Sequence, residues 1–240
     1  MKKLICMALF WGGSLLASPC TTAALSVYTS TGFTCTMDSF TIQDVFFAVG
    51  ATNLTSPLTA SAITITPSIT PTVNGDLLGL AFSSGGFSVA SGKFVNYEIR
   101  YNIDPPPDII VEMDDQLNTN TPVSPGFAKV DTKVCVGGKW LVDSFTGLLF
   151  CDTPGTVKTL KVFHNGTPSG TVQLSDLTKF PGVHIVGVDN LIVLDAQAGG
   201  SSSITGLTNI ATAAPEPSSV ALVLSALGLF AARRFRSKVR

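Results

Sequence analysis

The middle of this 240-residue chain is a succession of short apolar or alternating runs, and none of it has the apolar period of a helix. In the run Phe94–Ile103, the side chains of Val95, Tyr97, Ile99 and Tyr101 fall on one face and polar side chains fall on the other. This is the pattern of a β-strand with one buried side. Gly, Pro, Asn and Asp separate the runs, as turns require. The pattern therefore predicts an all-β fold, a single antiparallel β-sandwich or jelly roll. Further strands are predicted at Ser61–Thr66, Leu77–Phe82, Ile109–Met113, Phe127–Val136, Trp140–Val142, Leu148–Cys151, Val157–Phe163, Thr171–Leu174 and His184–Leu194.

The N-terminus has the composition of a secretory signal peptide. Lys2 and Lys3 precede the apolar run Leu4–Leu16, and small residues follow as far as Ala24. We expect signal peptidase to cleave after Ala23 or Ala24. Residues 1–24 are therefore assigned to the signal peptide.

Three segments of different chemistry follow one another at the C-terminus. The prolines of Pro215-Glu216-Pro217 fix φ and interrupt regular hydrogen bonding, so an extended, accessible backbone is expected there. Residues 218–232 carry no charge and suit a transmembrane helix. At ~1.5 Å per residue this helix would span roughly 23 Å, whereas a hydrocarbon core is about 30 Å thick. A cationic tail follows, which is typically held on the cytoplasmic side, and it contains Arg233, Arg234, Arg236, Lys238 and Arg240.

This order of motif, apolar span and basic tail resembles the PEP-CTERM sorting signal. Proteins that carry it are substrates of exosortase, a membrane transpeptidase-like enzyme of Gram-negative bacteria. The resemblance implies that residues 215–240 direct sorting, with Pro215, Glu216, Pro217, Arg233, Arg234 and Arg236 as the sorting residues. It also implies an inner-membrane intermediate that becomes a cell-surface or extracellular-matrix protein. A plain C-terminal anchor is the alternative, but the short span is better suited to a segment that is cut off.

The charges are distributed unevenly along the chain. Of the 15 cations, two lie in the signal peptide and five in the C-terminal tail, whereas all 16 acids lie between Asp38 and Glu216. The rest of the chain therefore carries eight cations against 16 acids. That balance argues against a nucleic-acid partner and against charge-driven capture of an acidic polysaccharide.

The segment between the two ends divides into a body and a tether. Residues 25–198 are predicted to form the β-sandwich domain, which is long enough for one sizeable core. Residues 199–214 are rich in Ser, Thr, Ala and Gly, and we expect a flexible linker there. Gly187–Leu194 resembles the closing strand of PEP-CTERM and lectin-like sandwiches. Asp189 and Asn190 would then form a turn before that strand, or tie loops or a cation at the rim.

Cysteine usage fits an oxidising compartment. Cys135 and Cys151 lie in β-like runs with glycine turns between them, and we expect them to form a disulfide. The closed loop of ~15 residues would contribute about 3 kcal/mol. Cys35 would be either a free buried thiol or paired with one of the other two.

The acidic run after Asp104 is a candidate calcium site. Calcium binds clustered hard oxygen ligands, and here Asp104, Asp108, Glu112 and Asp114 follow one another around three prolines. The spacing is not that of an EF-hand, and the alternative is a stiff, soluble connection between strands. No other cofactor is indicated.

The sequence offers no complete catalytic motif. Ser88 lies in the start of a nucleophile-elbow motif that lacks its closing glycine, and His164 and His184 are isolated. We therefore predict a non-catalytic, exported cell-surface or exopolysaccharide-associated protein. The alternatives are a glycan- or calcium-dependent carbohydrate-binding module and a secreted hydrolase. Exposed aromatic residues in a row on one sheet face would favour the binding module, and Phe46, Phe47 and Trp140 are the candidates.

Overall fold

A computed structural model describes residues 18–72, 75–104, 109–119, 125–153, 156–166 and 170–214 of the chain. These residues form a sandwich of two large sheets, as the alternating pattern predicts. The helical elements are α1 (Leu25–Tyr28) and one 3₁₀ turn at Ala60–Ala62. The strands are β1 (Ser18–Pro19), β2 (Ala23–Ala24), β3 (Thr34–Met37), β4 (Phe40–Thr52), β5 (Thr64–Thr72), β6 (Gly75–Ser83), β7 (Ser88–Val89), β8 (Phe94–Asp104), β9 (Ile109–Asn118), β10 (Phe127–Val136), β11 (Trp140–Val142), β12 (Leu149–Cys151), β13 (Val157–Asn165), β14 (Val172–Gln173), β15 (Ser175–Val183), β16 (Val186–Asp195), β17 (Ser202–Ser203) and β18 (Gly206–Ala214).

The two large sheets differ in strand number. The eight-stranded sheet has the order β1-β3-β4-β8-β16-β10-β13-β14, and the six-stranded sheet has the order β15-β9-β18-β6-β5-β2. Pairing in both sheets is antiparallel, except that β1 runs parallel to β3. Two small ribbons, β11-β12 and β7-β17, lie outside them. The sandwich is therefore built mainly from long-range pairs between distant parts of the chain.

One continuous apolar core fills the space between the two sheets. On β8, the four residues predicted to face inward are each at most 2% exposed. The other face of this strand is also partly covered, because Arg100 is 8% and Asn102 is 2% exposed. The largest fully buried side chains are Tyr28, Tyr97, Tyr101, Phe40, Phe82, Phe87, Leu25, Ile63, Ile65, Ile99, Ile110 and Met113.

The predicted linker is wrong for most of its length. Residues 206–214 are strand β18, which pairs with β6 on one side and with β9 on the other. Leu207, Ala211 and Ala213 are at most 3% exposed, so the small residues of this segment fill the core instead of forming a tether. The strand at Val186–Asp195 is consequently not the closing strand. It lies in the middle of the eight-stranded sheet between β8 and β10.

The start of the folded body also differs from the predicted boundary at residue 25. Cys20 forms a disulfide with Cys35, so both predicted alternatives for Cys35, a free thiol and a pair with Cys135 or Cys151, are wrong. The hydroxyl of Tyr28 donates a 2.7 Å hydrogen bond to the carbonyl of Thr21, and Ala23 pairs with Ile65 in the six-stranded sheet. Residues 18–24 therefore pack as part of the sandwich, although they were assigned to the signal peptide.

The chain leaves the described body at an end of the sandwich that we call the exit end. Ala214, the last residue of β18, lies opposite Ile109 at the start of β9. Val183 finishes β15 opposite Ile110, and only two residues separate it from Val186 at the start of β16. The exit end therefore includes the end of β18 in one sheet and the start of β16 in the other.

The segments assigned to signal peptide residues 1–17 and to sorting residues 215–240 lie outside the described residues. Within the described ranges, no helix has both the length and the apolar character needed to cross a membrane.

Candidate functional site

The eight-stranded sheet presents a band of aromatic and charged side chains on the face turned away from the core, which we call the outer face. Residues directly opposite one another in neighbouring strands share a face. Arg100 on β8 lies opposite Phe46 on β4 and Asp189 on β16, and Asp189 lies opposite Lys133 on β10. At about 4.8 Å per strand, the band from β4 to β13 is about 19 Å wide.

A β-bulge places Phe46 on this face. The register between β4 and β8 shifts between Gln43 and Phe46, and Asp44 within the bulge has a φ of 55°. The Asp44 carboxylate accepts a 3.1 Å hydrogen bond from the amide of Asn102. An extra residue in one strand redirects the side chains that follow it. The bulge therefore sets the position of Phe46, which is 41% exposed.

Arg100 connects Phe46 to the acids of the outer face. Its guanidinium carbon lies 4.1 Å from the centroid of the Phe46 ring, within the range of a cation–π contact. Its Nε lies 3.0 Å from a carboxylate oxygen of Glu98, in an ion pair that lacks the alignment of a hydrogen bond. Because Arg100 is nearly buried, its planar group is held in one orientation.

Asp189 is the most unusual acid of the outer face. Its residue is 6% exposed, and its Oδ1 accepts no hydrogen bond from the described residues. The Glu98 carboxylate is a close neighbour, because Glu98 lies opposite Leu191, two residues along β16 from Asp189. Burial is the main cause that raises the pKa of Asp189 to about 6, and the negative charge of Glu98 adds to it. The positive charges of Arg100 and Lys133 act in the opposite direction. The site therefore contains two adjacent carboxyls, one of which holds a proton more readily than an ordinary aspartic acid.

Trp140 covers the end of this band. Its backbone N–H donates to Oδ1 of Asn102 at 3.2 Å, and its indole N–H donates to the carbonyl of Lys133 at 3.3 Å. A Cβ added at Gly187 would lie 2.8 Å from the Trp140 nitrogen, so only a glycine leaves room for this approach. The predicted Cys135–Cys151 disulfide is present and fixes the hairpin that carries Trp140.

An open groove continues the outer face onto β13. Its volume is about 470 Å³. The ammonium of Lys129 lies 2.8 Å from the Asp131 carboxylate within it. The groove therefore also brings aromatic rings and cations next to one another. The groove is lined by Phe127, Lys129, Asp131, Lys161, Val162, Phe163, Asn165 and Thr171.

The aromatic candidates from the sequence divide between the two sides of the sheet. Phe46 and Trp140 belong to the outer face, as the binding hypothesis requires. Phe47 packs against the core, with its ring centroid 6.0 Å from that of Tyr97. Glu98 and Arg100 carry no sequence signal of a functional role, because their proximity to Asp189 depends on a pairing between distant strands.

The candidate calcium ligands are spread along two strands. Asp104 ends β8, and Asp108 lies outside the described residues. Glu112 on β9 forms a 3.1 Å ion pair with Lys179 and accepts a hydrogen bond from Thr212. Asp114 accepts a 2.9 Å hydrogen bond from Gln116. Among the described residues, no three acids, histidines or cysteines form a group that could hold a metal ion.

The catalytic candidates are also dispersed. Ser88 pairs with Ser203 in the ribbon β7-β17, and His164 lies near the end of β13. His184 lies in the bend between β15 and β16 instead of on a strand. These three residues belong to separate elements.

A second polar cluster, which the sequence did not predict, lies inside the sandwich, and we call it the core polar network. Asn190 on β16 and Asn209 on β18 exchange two amide hydrogen bonds, of 2.9 and 3.0 Å, across the space between the sheets. Tyr101 donates to Asn209, Thr132 donates to Asn190, and Asn209 donates to Asp115 at 2.7 Å. Asn190 is thus neither in a turn nor at the rim. The network joins the two sheets through hydrogen bonds.

No protein-family model and no curated protein matches this chain. Several solved structures are similar to it, and two of them illustrate the low identity. One is TmCBM61 in complex with β-1,4-galactotriose, at 9% identity over 68% of this chain and 86% of that one, with a TM-score of 0.29. The other is endoglucanase 3 of Trichoderma harzianum, from family GH12, at 9% identity over 72% and 98%, with a TM-score of 0.22. At these TM-scores, the similarity does not indicate what this chain binds.

Proposed function

We propose that this chain is an exported, non-catalytic cell-surface protein that binds extracellular polysaccharide through the outer face of its eight-stranded sheet. The observation that carries the proposal is the shared position of Phe46, Arg100, Glu98, Asp189 and Trp140 on one side of the sheet. Sugar rings stack on aromatic planes, and their hydroxyls pair with planar carboxylate and guanidinium groups. Phe46, which is 41% exposed, and the Glu98 side chain, which is 32% exposed, offer both kinds of partner to a ligand, while the nearly buried Arg100 contacts both of them.

The local charge of the outer face also suits this ligand. The body as a whole is acidic, with 15 acids against eight cations. On the outer face the charges alternate in sign, with Arg100, Lys129, Lys133 and Lys161 among the acids Asp44, Glu98, Asp131, Asp189 and Asp195. A polysaccharide of low charge would therefore meet no large field of one sign there.

Export and sorting rest on the two ends of the sequence. The N-terminal lysines with their apolar run support secretion, and residues 215–240 support retention at a membrane and processing by exosortase. The pairs Cys20–Cys35 and Cys135–Cys151 support an extracellular location, because disulfides persist in oxidising compartments. The mature protein would then act at the cell surface or in the surrounding matrix.

The burial of Asp189 favours binding over hydrolysis. In a glycosidase, two carboxyls flank the scissile bond of the sugar. Asp189 is only 6% exposed, so a sugar at the outer face would not reach its carboxyl. We therefore propose no catalytic role for Glu98 and Asp189.

The test is affinity electrophoresis of the exported protein in gels that contain neutral or acidic polysaccharides. Wild-type protein should be retarded by at least one neutral polysaccharide. Phe46→Ala should weaken this binding roughly tenfold, because the loss of an aromatic contact costs about 1 kcal/mol or more. The matched control is Ile69→Ala, which removes a similarly exposed side chain (42%, against 41% for Phe46) from the other sheet.

Two results would contradict the proposal. One is the absence of retardation by every polysaccharide, and the other is an equal loss of binding in both variants. Release of reducing ends from the polysaccharide would contradict the proposal that the protein is not an enzyme. Arg100→Lys gives a further check, because it keeps the charge but removes the planar group and should also weaken binding.

A further inference from the structure

The hairpin formed by β11 and β12 ends in a rigid turn. The Asp143 carboxylate accepts hydrogen bonds from the backbone N–H of Phe145 at 2.9 Å and of Thr146 at 2.7 Å. It also accepts the Thr146 hydroxyl, and the Gly147 N–H donates to the Asp143 carbonyl at 2.8 Å. The Cys135–Cys151 disulfide closes the base of the hairpin. The turn is therefore held by its own hydrogen bonds, without help from the core.

This rigid turn presents apolar side chains to solvent. Phe145 is 96% exposed and Leu148 is 68% exposed. Val142, Leu141 and Phe150 are between 42% and 53% exposed on the two short strands. We call these five residues the apolar tip. Single exposed apolar residues are ordinary, but a cluster of them on a fixed turn marks an interaction site.

The hairpin that carries the apolar tip starts from the exit end of the sandwich. The Gly137 N–H at the base of the hairpin donates to the Ile185 carbonyl at 3.0 Å, and a Cβ at Gly137 would lie 3.7 Å from the Val183 side chain. Val183 lies opposite Ile110 in β9, and Ala214 lies opposite Ile109, the residue before it. The base of the hairpin and the end of β18 are thus neighbours at one end of the fold.

The length of chain beyond Ala214 limits the distance to a membrane. The uncharged segment 218–232 begins only three residues after Pro215. At no more than about 3.6 Å per residue, residue 218 lies within about 14 Å of Ala214. If that segment is held in lipid, the exit end and the hairpin must lie close to the lipid surface.

We propose that the apolar tip docks on the surface of the bilayer in which the C-terminal segment is held. This inference rests on the membrane intermediate of the proposed function. The binding partner of the tip is a lipid surface, because the short segment after Ala214 keeps the hairpin within a short distance of the membrane. The Asp143 carboxylate in the turn keeps its charge near the headgroups, so the tip rests in the interfacial layer instead of the hydrocarbon centre.

The test uses the exported full chain, purified from membranes of a Gram-negative host without exosortase. Phe145→Trp introduces a fluorescent probe in the tip. Leu174→Trp is the matched control, because Leu174 is 46% exposed and lies beside Leu117 at the opposite end of the sandwich. Each variant is reconstituted into vesicles of phosphatidylcholine brominated on its acyl chains, with unbrominated vesicles as reference. The native Trp140 is present in both.

Vesicle binding should shift the tryptophan emission of the Phe145→Trp variant to the blue, and the brominated acyl chains should quench it. The tryptophan emission of the Leu174→Trp variant should change much less. Equal quenching in the two variants would overturn the docking proposal while leaving the membrane intermediate intact. A chain that does not float with the vesicles would instead overturn the membrane intermediate. If the tryptophan emission of the Phe145→Trp variant is shifted to the blue but not quenched, and the protein sediments as a dimer, the tip contacts a second copy of the protein instead of lipid.

Discussion

Asp115 is enclosed in the core polar network with only one of its carboxylate oxygens hydrogen-bonded. Oδ1 accepts the amide of Asn209, whereas Oδ2 has no hydrogen-bond partner among the described residues. The Thr132 hydroxyl lies within range, but its single proton is donated to Asn190 at 2.8 Å. Burial is the main cause that raises the pKa of Asp115 to about 6, and the charges of Asp114 and Asp176 add to it. The neutral acid therefore fits this site better than the carboxylate.

The protein should lose stability as the pH rises through this range. Since the folded-state pKa of Asp115 is raised from 3.8 to about 6, the stabilisation it contributes is fully present below pH 3.8 and is lost as the pH passes 6. The shift corresponds to about 3 kcal/mol at 1.36 kcal/mol per pKa unit. Asp115→Asn resembles the neutral acid and should remove this part of the pH dependence.

Denaturant unfolding of wild type and Asp115→Asn at a series of pH values measures the difference. The variant should lose about 3 kcal/mol less than wild type between acidic and weakly alkaline pH. The pKa of Asp189 is also raised, and its contribution to the pH dependence of the unfolding free energy is the same in both proteins. If the unfolding free energies of wild type and Asp115→Asn depend on pH in the same way, ionisation of Asp115 does not destabilise the folded protein.

Among the elements, β18 joins two parts of the six-stranded sheet that have no other connection through strand pairing. It lies between β6 and β9, and Asn209 on its inner side binds both Asp115 and Asn190. Without it, two new strand edges and the centre of the core would be open to water. The body should therefore depend on residues that resemble a linker in composition.

Two truncations test this dependence. A chain that ends at residue 214 should fold and be released into the medium, because it lacks only the segment proposed to hold it at the membrane. A chain that ends at residue 198 should fail to fold. Circular dichroism and thermal melting of the two products provide the measurement. A cooperative melt of the shorter chain near the temperature of the longer one would show that β18 is dispensable.

The contrast between β8 and β18 shows what the sequence could predict. The inner side of β8 carries Val95 and three large residues after it, and this pattern identified the strand almost to its last residue. The inner residues of β18 also alternate, but they are Leu207, Asn209 and two alanines, whose small size fits the crowded centre of the sandwich. A pattern search that weighs hydrophobicity alone does not detect such a strand.

The candidate site was predictable only in part for a different reason. The aromatic residues Phe46 and Trp140 could be named as candidates, since aromatics are recognisable without knowing their neighbours. The contact of Glu98 with Asp189 depends on the register between β8 and β16, which are far apart in the chain. Register between distant strands is set by the packing of the whole core, and a single sequence does not specify it locally.

On the scale of the whole molecule, the N-terminal end of the body should begin earlier than signal-peptide rules suggest. Cleavage after Ala24 would remove Cys20 and with it the disulfide to Cys35, whose loop contributes about 3 kcal/mol in the chain-entropy model. It would also remove the partner strand of Ile65. N-terminal sequencing of the exported protein should therefore find a first residue at or before Ser18. A mature chain that starts at Leu25 would contradict this expectation, and Cys35 would then carry a free thiol.

The central position of β18 has a consequence for a chain that is exported from its N-terminus. We expect β6 and β9 to reach the outside before the strand that joins them, since residues 206–214 are the last of the body to emerge. Until then the six-stranded sheet consists of two incomplete pieces, and the core network lacks Asn209. The sandwich can close only when residues 215–240 are all that remain in the translocation channel. Completion of folding and arrest of the chain by its tail would then coincide in time.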